Sequence, residues 1–461
     1  MGPLAQGSWV LKLGVFGPSA SFGYSFLILH YIRSAITIME RIKMNRTFKL
    51  LSIECALIFL GLSVLKAQEA SNPESLGAGS INSTTRQAQI LKSLQSQAAL
   101  NFEPLLNNLI PASAVPEVGV PASVAPARRW VLGLQPVLGA DMYRNRASFE
   151  ERLSGMISKA LADPRIARTD RKLVVLPEYF GTWLAVADED DAVYSARTKT
   201  EAIKALIFHN AKFDLYLARE AWRQKRNPID PDFVFSTLLH FKAKKAWDIF
   251  SASCSRLAIR YGVTLVPGSI VLPPLNALED PDAPLYNTAF IFGPDGSLLH
   301  TTRKVYPTRS ELGFTARGAL KDVTVARIPF GRVGVLICAD GWAYKVYDRL
   351  RDAELLLQPS FGYGGLDAYK EPWRGYNGQI NPPEVDPSDI GHITERQAWL
   401  KYSLAGKIHS TTAILGVNVF MAGRLWDIVT SGYGIVADHS GKVTQTCTND
   451  SRDTVIRVQL P

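Results

Sequence analysis

Cys338, Glu178 and Lys304 are the residues with chemistry to offer, because each stands at the end of a likely strand. Val333 to Ile337 is a short run with β-branched residues that suits a strand buried on both faces. It ends at Cys338. Asp340 and Gly341 behind it are turn or N-cap residues, and Ala343 to Arg351 reads as a helix. A thiol on a strand-to-helix turn meets backbone N–H groups near a helix N-terminus, and those dipoles favour the thiolate, the form that attacks electrophilic carbon. A small buried hydrophobe would look the same on this stretch alone. Leu173 to Leu176 is a second apolar run, stopped by Pro177 and followed by Glu178 and Tyr179. A carboxylate directly after a buried strand is costly unless paired, although a solvated loop acid has the same look. Leu298 to Arg303 leads to Lys304, with Glu311 seven residues beyond it. A surface lysine is the plain alternative there.

Together, in this order and with these flanks, the three stretches resemble the nitrilase or carbon–nitrogen hydrolase superfamily. The resemblance rests on Leu176-Pro177-Glu178, on Arg303-Lys304 with Pro307-Thr308 and Glu311, and on Gly334-Val335-Leu336-Ile337-Cys338. It covers Trp130 to Pro461 and implies an α/β fold, a four-layer α-β-β-α sandwich. It also implies a thiol-dependent hydrolase of non-peptide carbon–nitrogen bonds, working through a Cys338 acyl-enzyme and releasing ammonia or an amine and a carboxylic acid. In that scheme Glu178 carries the proton, and Lys304 with the backbone N–H of Ala339 holds the oxyanion. Glu311 positions the substrate and Lys304, and Tyr179 and Ala339 are the substrate-binding candidates. Cys338-Ala339-Asp340 is closer to the amidase branches' Cys-x-Asp than to the nitrilases' Cys-Trp-Glu, which favours an amide over a nitrile as the small-molecule substrate. No cofactor is needed. One alternative is the superfamily's N-acyltransferase branch, whose lipoprotein-modifying members carry several transmembrane helices where this chain has at most one. A catalytically silent binding or scaffold member is another, and the intact Glu–Lys–Cys set argues against it. The resemblance further implies a homodimer or higher homo-oligomer, paired through Ala343–Arg351 and Trp399–Ser410.

The 461 residues and 47% apolar content allow a sizeable core. The formal charge of +9 would suit a nucleic-acid partner. Residues 1–67, however, hold seven basic and two acidic side chains, an excess of five that leaves only +4 for the rest. No basic stripe with interleaved aromatics appears there, so a mildly basic solvated surface and no nucleic acid is the reading. The cysteines (Cys55, Cys254, Cys338, Cys447) form no CxxC pair, and the seven histidines show no metal-binding spacing, so no metal is expected.

Residues 1–67 read as a leader. From Met44, a basic start, an apolar Leu50 to Leu65 and a small residue at Ala67 resemble a secretory signal peptide, which would export the protein to a periplasm or outside the cell. A single N-terminal membrane-anchoring helix is the alternative. If Ala67 is the cut, Cys55 is lost. Cys338 must then stay free, with Cys254 and Cys447 either inert and buried or bonded to each other. Residues 68–128 form a polar, Pro-rich linker, within which Gln87 to Leu100 could be a helix. The hydrolase domain spans 129–461. It opens with a strand, Trp130–Gln135, a helix, Ala147–Leu161, and the Leu173–Leu176 strand, a βαβ unit. A mixed helical stretch, Gly181–Asn227, reads as a surface helix or as an elaborated pocket wall. Then follow a helix, Phe233–Arg260, a strand, Gly262–Leu272, and a hairpin of Tyr286–Phe292 with Ser297–Thr302. The paired runs Val323–Ile328 and Gly331–Ile337 and the strand Ala353–Leu357 come next. Phe361 to Thr394 is an aromatic-rich insertion that either packs down or forms a lid. A helix, Trp399–Ser410, and strands Ala413–Phe420, Gly434–Asp438 and Lys442–Thr446 complete an antiparallel ending.

Overall fold

The computed structural model describes residues 127–376, 380–449 and 452–460. The leader, the linker as far as residue 126 and the helix expected at Gln87–Leu100 lie outside the described residues. The domain opens with strand β1 (Arg129–Gln135), the short β2 (Val137–Leu138) and helix α1 (Arg146–Leu161). β3 (Arg171–Val175) delivers Glu178. Helices α2 (Asp191–Ser195), α3 (Lys199–His209) and α4 (Ala211–Gln224) precede the long α5 (Pro231–Tyr261). β4 (Thr264–Val266), β5 (Ser269–Leu272), β6 (Tyr286–Phe292) and β7 (Leu298–Arg303) follow. β8 (Ala326–Ile328) and β9 (Gly331–Val335) lead to the cysteine, then α6 (Tyr344–Arg349) and β10 (Leu355–Ser360). After α7 (Glu395–Tyr402) and α8 (Leu404–Lys407) come β11 (Leu415–Phe420), β12 (Ala422–Leu425) and β13 (Ile428–Thr430). β14 (Gly432–Asp438), β15 (Val443–Asn449) and β16 (Thr454–Leu460) end the chain.

Successive side chains on a strand point to opposite faces, and here that alternation builds the layers. On β1 and β3, Val131, Leu173 and Val175 face one core while Leu132, Leu134 and Val174 face another. On β9 and β10, Val333, Val335, Leu355 and Leu357 join the first core, whereas Leu356 faces a third. The shared core therefore lies between two sheets, one ordered β16-β1-β3-β4-β6-β5 with β7 on β6, the other β15-β14-β11-β10-β9-β8. Phe149, Leu153 and Ile157 of α1 and Phe250, Cys254 and Leu257 of α5 cover the outer face of the first sheet. Val346 and Tyr347 of α6 with Leu404 of α8 cover the second. Helix, sheet, sheet and helix stack in that order, an α/β sandwich of four layers.

Several elements differ from the sequence reading. Gly262–Leu272 is two strands, because Gly268 takes φ +68° and turns the chain. A Cβ on Gly268 would lie 1.8 Å from the Pro177 carbonyl oxygen, so only glycine passes this point beside Glu178. The stretch read as one helix over Trp399–Ser410 breaks at Ser403, between α7 and α8. The helix after the cysteine is shorter than Ala343–Arg351, since Cys338–Trp342 is a 3-10 turn. β12, β13 and β16 were not anticipated; β16 pairs antiparallel with β1 along its whole length. Cys254 and Cys447 are free thiols, and Cys447 is only partly buried, so neither the disulfide nor the buried-and-inert reading holds for that residue. In the Phe361–Thr394 insertion, Trp373 stacks on Trp342 (5.8 Å) and on Tyr402 (5.4 Å), so this part packs down. No helix among the described residues is long and apolar enough to cross a membrane.

Candidate active site

Glu178, Lys304, Glu311 and Cys338 come from four separate strand ends or turns and converge on one cavity of about 1020 Å³. Lys304, 1% exposed, follows β7, and its backbone N–H donates to the Asn287 carbonyl across the hairpin (2.9 Å). Its ammonium donates to Glu178 Oε1 (2.7 Å) and to Glu311 Oε1 and Oε2 (2.8 and 2.7 Å). One buried cation thus joins two buried carboxylates.

Those carboxylates are not equivalent. Glu311 also accepts from the Thr308 backbone N–H (2.6 Å) and from the Tyr179 hydroxyl. Burial would raise its pKa, but Lys304 and these donors hold it below the usual glutamate range. Glu178 has the ammonium, the Asn287 side-chain amide (2.8 Å) and the Cys338 thiol. Burial dominates there, and with the negative charge of Glu311 it lifts Glu178 to about 7 against the pull of Lys304. Lys304 itself is held well above the usual lysine value: burial opposes its charge, and the two glutamates outweigh burial. Glu311 is therefore a fixed anion and Glu178 a group able to take and give a proton near neutrality.

Cys338 follows the end of the β9 run and is 7% exposed. Its φ of +49° is unusual for a non-glycine residue and turns the chain sharply between strand and 3-10 turn. Its thiol faces the Phe361 carbonyl oxygen (3.8 Å). The turn is held from below. Gln358, within β10, donates its amide to the Cys338 carbonyl (2.8 Å) and to Ser403 Oγ (2.9 Å). Gly341 makes room for that amide, since a Cβ there would sit 2.3 Å from Gln358 Nε2. Asp340 accepts from the backbone N–H groups of Val305 (3.0 Å) and Tyr306 (2.8 Å) and so ties the cysteine turn to the segment after Lys304.

The expectation of a dipole-stabilised thiolate is corrected by this geometry. The five-residue 3-10 turn brings few aligned peptides, while burial and the Glu178 charge push the thiol well above its usual value. The resting group is a neutral thiol beside a carboxylate able to accept its proton. Of the two substrate-binding candidates, Tyr179 lines the cavity. The Ala339 side chain packs instead with Trp342, Trp373 and Tyr402 below it, leaving only its backbone for substrate. Sequence reasoning missed Asn287, Gln358 and Ser403. A polar residue closing the apolar Leu355–Leu357 run was the available signal for Gln358.

The sequence profile of the family described as carbon-nitrogen hydrolase matches residues 131–364, half of the chain. The chain belongs to the carbon–nitrogen hydrolase family. The match takes in Glu178, Lys304, Glu311 and Cys338, while β11 and β14–β16, which complete both sheets of this carbon–nitrogen hydrolase, lie beyond it. Over 93 residues the chain is 36% identical to the omega-amidase NIT2 of Danio rerio, 19% of this chain and 31% of that protein. It thus spans about a third of the length of the curated relative it matches. Similar solved structures include a carbon-nitrogen hydrolase from Helicobacter pylori G27, at 17% identity and a TM-score of 0.42, covering 72% of this chain and 89% of that one. Nit3 of Saccharomyces cerevisiae, a member of branch 10 of the nitrilase superfamily, has 17% identity, a TM-score of 0.42, and coverage of 74% and 93%. An amidase from Nesterenkonia sp. has 13% identity, a TM-score of 0.43, and coverage of 73% and 92%.

Proposed function

We propose that this enzyme hydrolyses small-molecule amides through a thioester on Cys338. The observation that carries the reading is the buried Lys304 ammonium shared by Glu178 and Glu311 in the same cavity as the thiol. Glu178 takes the Cys338 proton as sulfur attacks the carbonyl carbon. The oxyanion so formed is met by Lys304 and the Ala339 backbone N–H. Glu178 then returns the proton to the departing nitrogen, and ammonia or an amine leaves. Water, deprotonated by Glu178, attacks the thioester; the carboxylic acid departs, and the thiol regains its proton. Glu311 fixes the lysine. The choice of an amide over a nitrile is supported by Cys338-Ala339-Asp340 and by the identity shared with an omega-amidase.

Ammonia or amine release from a panel of amides, nitriles, ureas and carbamoyl compounds tests the activity. Cys338→Ala should abolish release with the fold intact. Lys304→Ala should cost about 3 kcal/mol of transition-state stabilisation, near two orders of magnitude in rate. Glu178→Gln, which removes the base for thioester formation as well as for its hydrolysis, should slow release by about two to four orders of magnitude. Undiminished release by Cys338→Ala would sink the mechanism.

A further inference from the structure

The cavity above Cys338, about 1020 Å³, is at the upper end of what encloses a drug-sized ligand, and a short primary amide would fill little of it. Two files of aromatic rings line it. The first starts at the reacting groups: the Tyr179 ring meets Phe361 edge-on at 5.6 Å, and Phe361 meets Tyr363 at 5.8 Å. The Phe361 carbonyl faces the Cys338 thiol, whereas Tyr363 is 72% exposed, so the file leads from the nucleophile out to solvent. The second file comes from the stretch after β3, from α5 and from the turn that carries Glu311. Trp183 lies 6.5 Å from Phe235, and Phe235 meets Phe314 edge-on at 5.0 Å. The charged side chains around the rest of the cavity are balanced, Lys199, Arg309 and Arg374 against Asp232, Glu371 and Glu395. They offer no net charge to select a charged substrate.

We propose that the substrate amide carries an extended apolar body, an alkyl chain or arylalkyl group, laid along these files, and that short or acid-bearing amides are poor substrates. The inference rests on amide hydrolysis at Cys338, and its test reads binding separately from turnover. Calorimetry on Cys338→Ala would measure the affinity of acetamide, hexanamide, octanamide and succinamic acid, with N-hexylacetamide carrying the chain on the nitrogen instead. The same compounds would be offered to the wild type, with ammonia or amine release followed. Affinity should rise by up to about fourfold per methylene until the chain leaves the cavity, and kcat/KM should follow. The better of hexanamide and N-hexylacetamide shows whether the chain lies on the acyl or the amine side. Tyr363→Ala, at an exposed position safe for folding, and Phe235→Ala should both flatten the slope. A chain-length slope in binding without any turnover supports the apolar site and defeats hydrolysis. Affinity that is flat along both series, or highest for succinamic acid, overturns the proposal.

Discussion

Replacing Glu311 by glutamine should move the acid limb of the activity profile to lower pH. Glu178 titrates at about 7 because burial outweighs Lys304 and the Glu311 charge adds to the rise. Its basic form is therefore lost as pH falls through 7, and wild-type kcat/KM should climb through that region. Glu178 Oε1 and Glu311 Oε2 each lie 2.7 Å from Lys304 Nζ, so they stand at most twice that distance, 5.4 Å, apart. At an effective dielectric of about 20, two unit charges at that separation repel by about 3 kcal/mol, or about two pH units. Glu311→Gln removes this repulsion and leaves the ammonium to Glu178 alone. Both effects favour the Glu178 carboxylate, while the amide keeps the side chain's shape and one acceptor for Lys304. The limb should fall by about two pH units, on a lower plateau. Ammonia release from a primary amide, measured across pH 5 to 9, gives the limb position independently of the plateau. A limb that stays in place or moves up would refute either Glu178 as the titrating base or Glu311 as the anion beside it.

Gly341→Ala would press a Cβ against Gln358 Nε2, so we expect a stability loss of about 1–3 kcal/mol by denaturant titration, with a fall in kcat as the Cys338 carbonyl loses its anchor. Gly268→Ala is worse, since a positive φ and the Pro177 backbone oxygen leave no relaxation; soluble, folded protein from this variant would show the turn beside Glu178 to be less constrained than its geometry indicates. We expect a homodimer or larger assembly paired through α6 and the α7–α8 segment, and light scattering that finds only monomer at micromolar concentration would remove that expectation. Export with cleavage after Ala67 predicts a mature chain beginning at Gln68, which N-terminal sequencing of the natural protein decides; a start at Met1 or Met44 defeats it.

The legible parts of this fold are those with local causes. The α1 stretch was readable because Phe149, Leu153, Met156, Ile157 and Ala160 recur at helical spacing. Its start at Arg146 follows from the Asn145 side chain accepting the Ser148 N–H. α5 gained its first residues the same way, from Asp230 capping and Pro231 at the first helical position. β16 escaped because it is an edge strand on which only Ile456 and Leu460 are buried, so its apolar signal is thin. The break between β4 and β5 falls at Pro267-Gly268, a turn dipeptide visible in the sequence although it lies inside an apolar run; what the sequence does not show is the Pro177 backbone that requires glycine there.

The site divides along the same line. A carboxylate and a thiol after buried strands are visible as types, because an apolar run that stops at a reactive group is costly without partners. Lys304, by contrast, follows a half-exposed strand of mixed residues and is visible through its flanking motif. The division of labour between the two glutamates is not visible. Glu178 and Glu311 are the same residue type on the same lysine, and depth of burial and the kind of donors around each separate them. Glu311 gathers the Thr308 N–H and the Tyr179 hydroxyl and meets the ammonium with both oxygens, whereas Glu178, more deeply buried, has the Asn287 amide, 109 residues along the chain, and the Cys338 thiol. The thiol shows the converse error. A dipole argument from one turn gave a thiolate, yet burial and the Glu178 charge, supplied by another strand, decide the protonation state. A site built from strand ends gathers its groups through topology, and their pKa values belong to that gathering rather than to the segments that carry them.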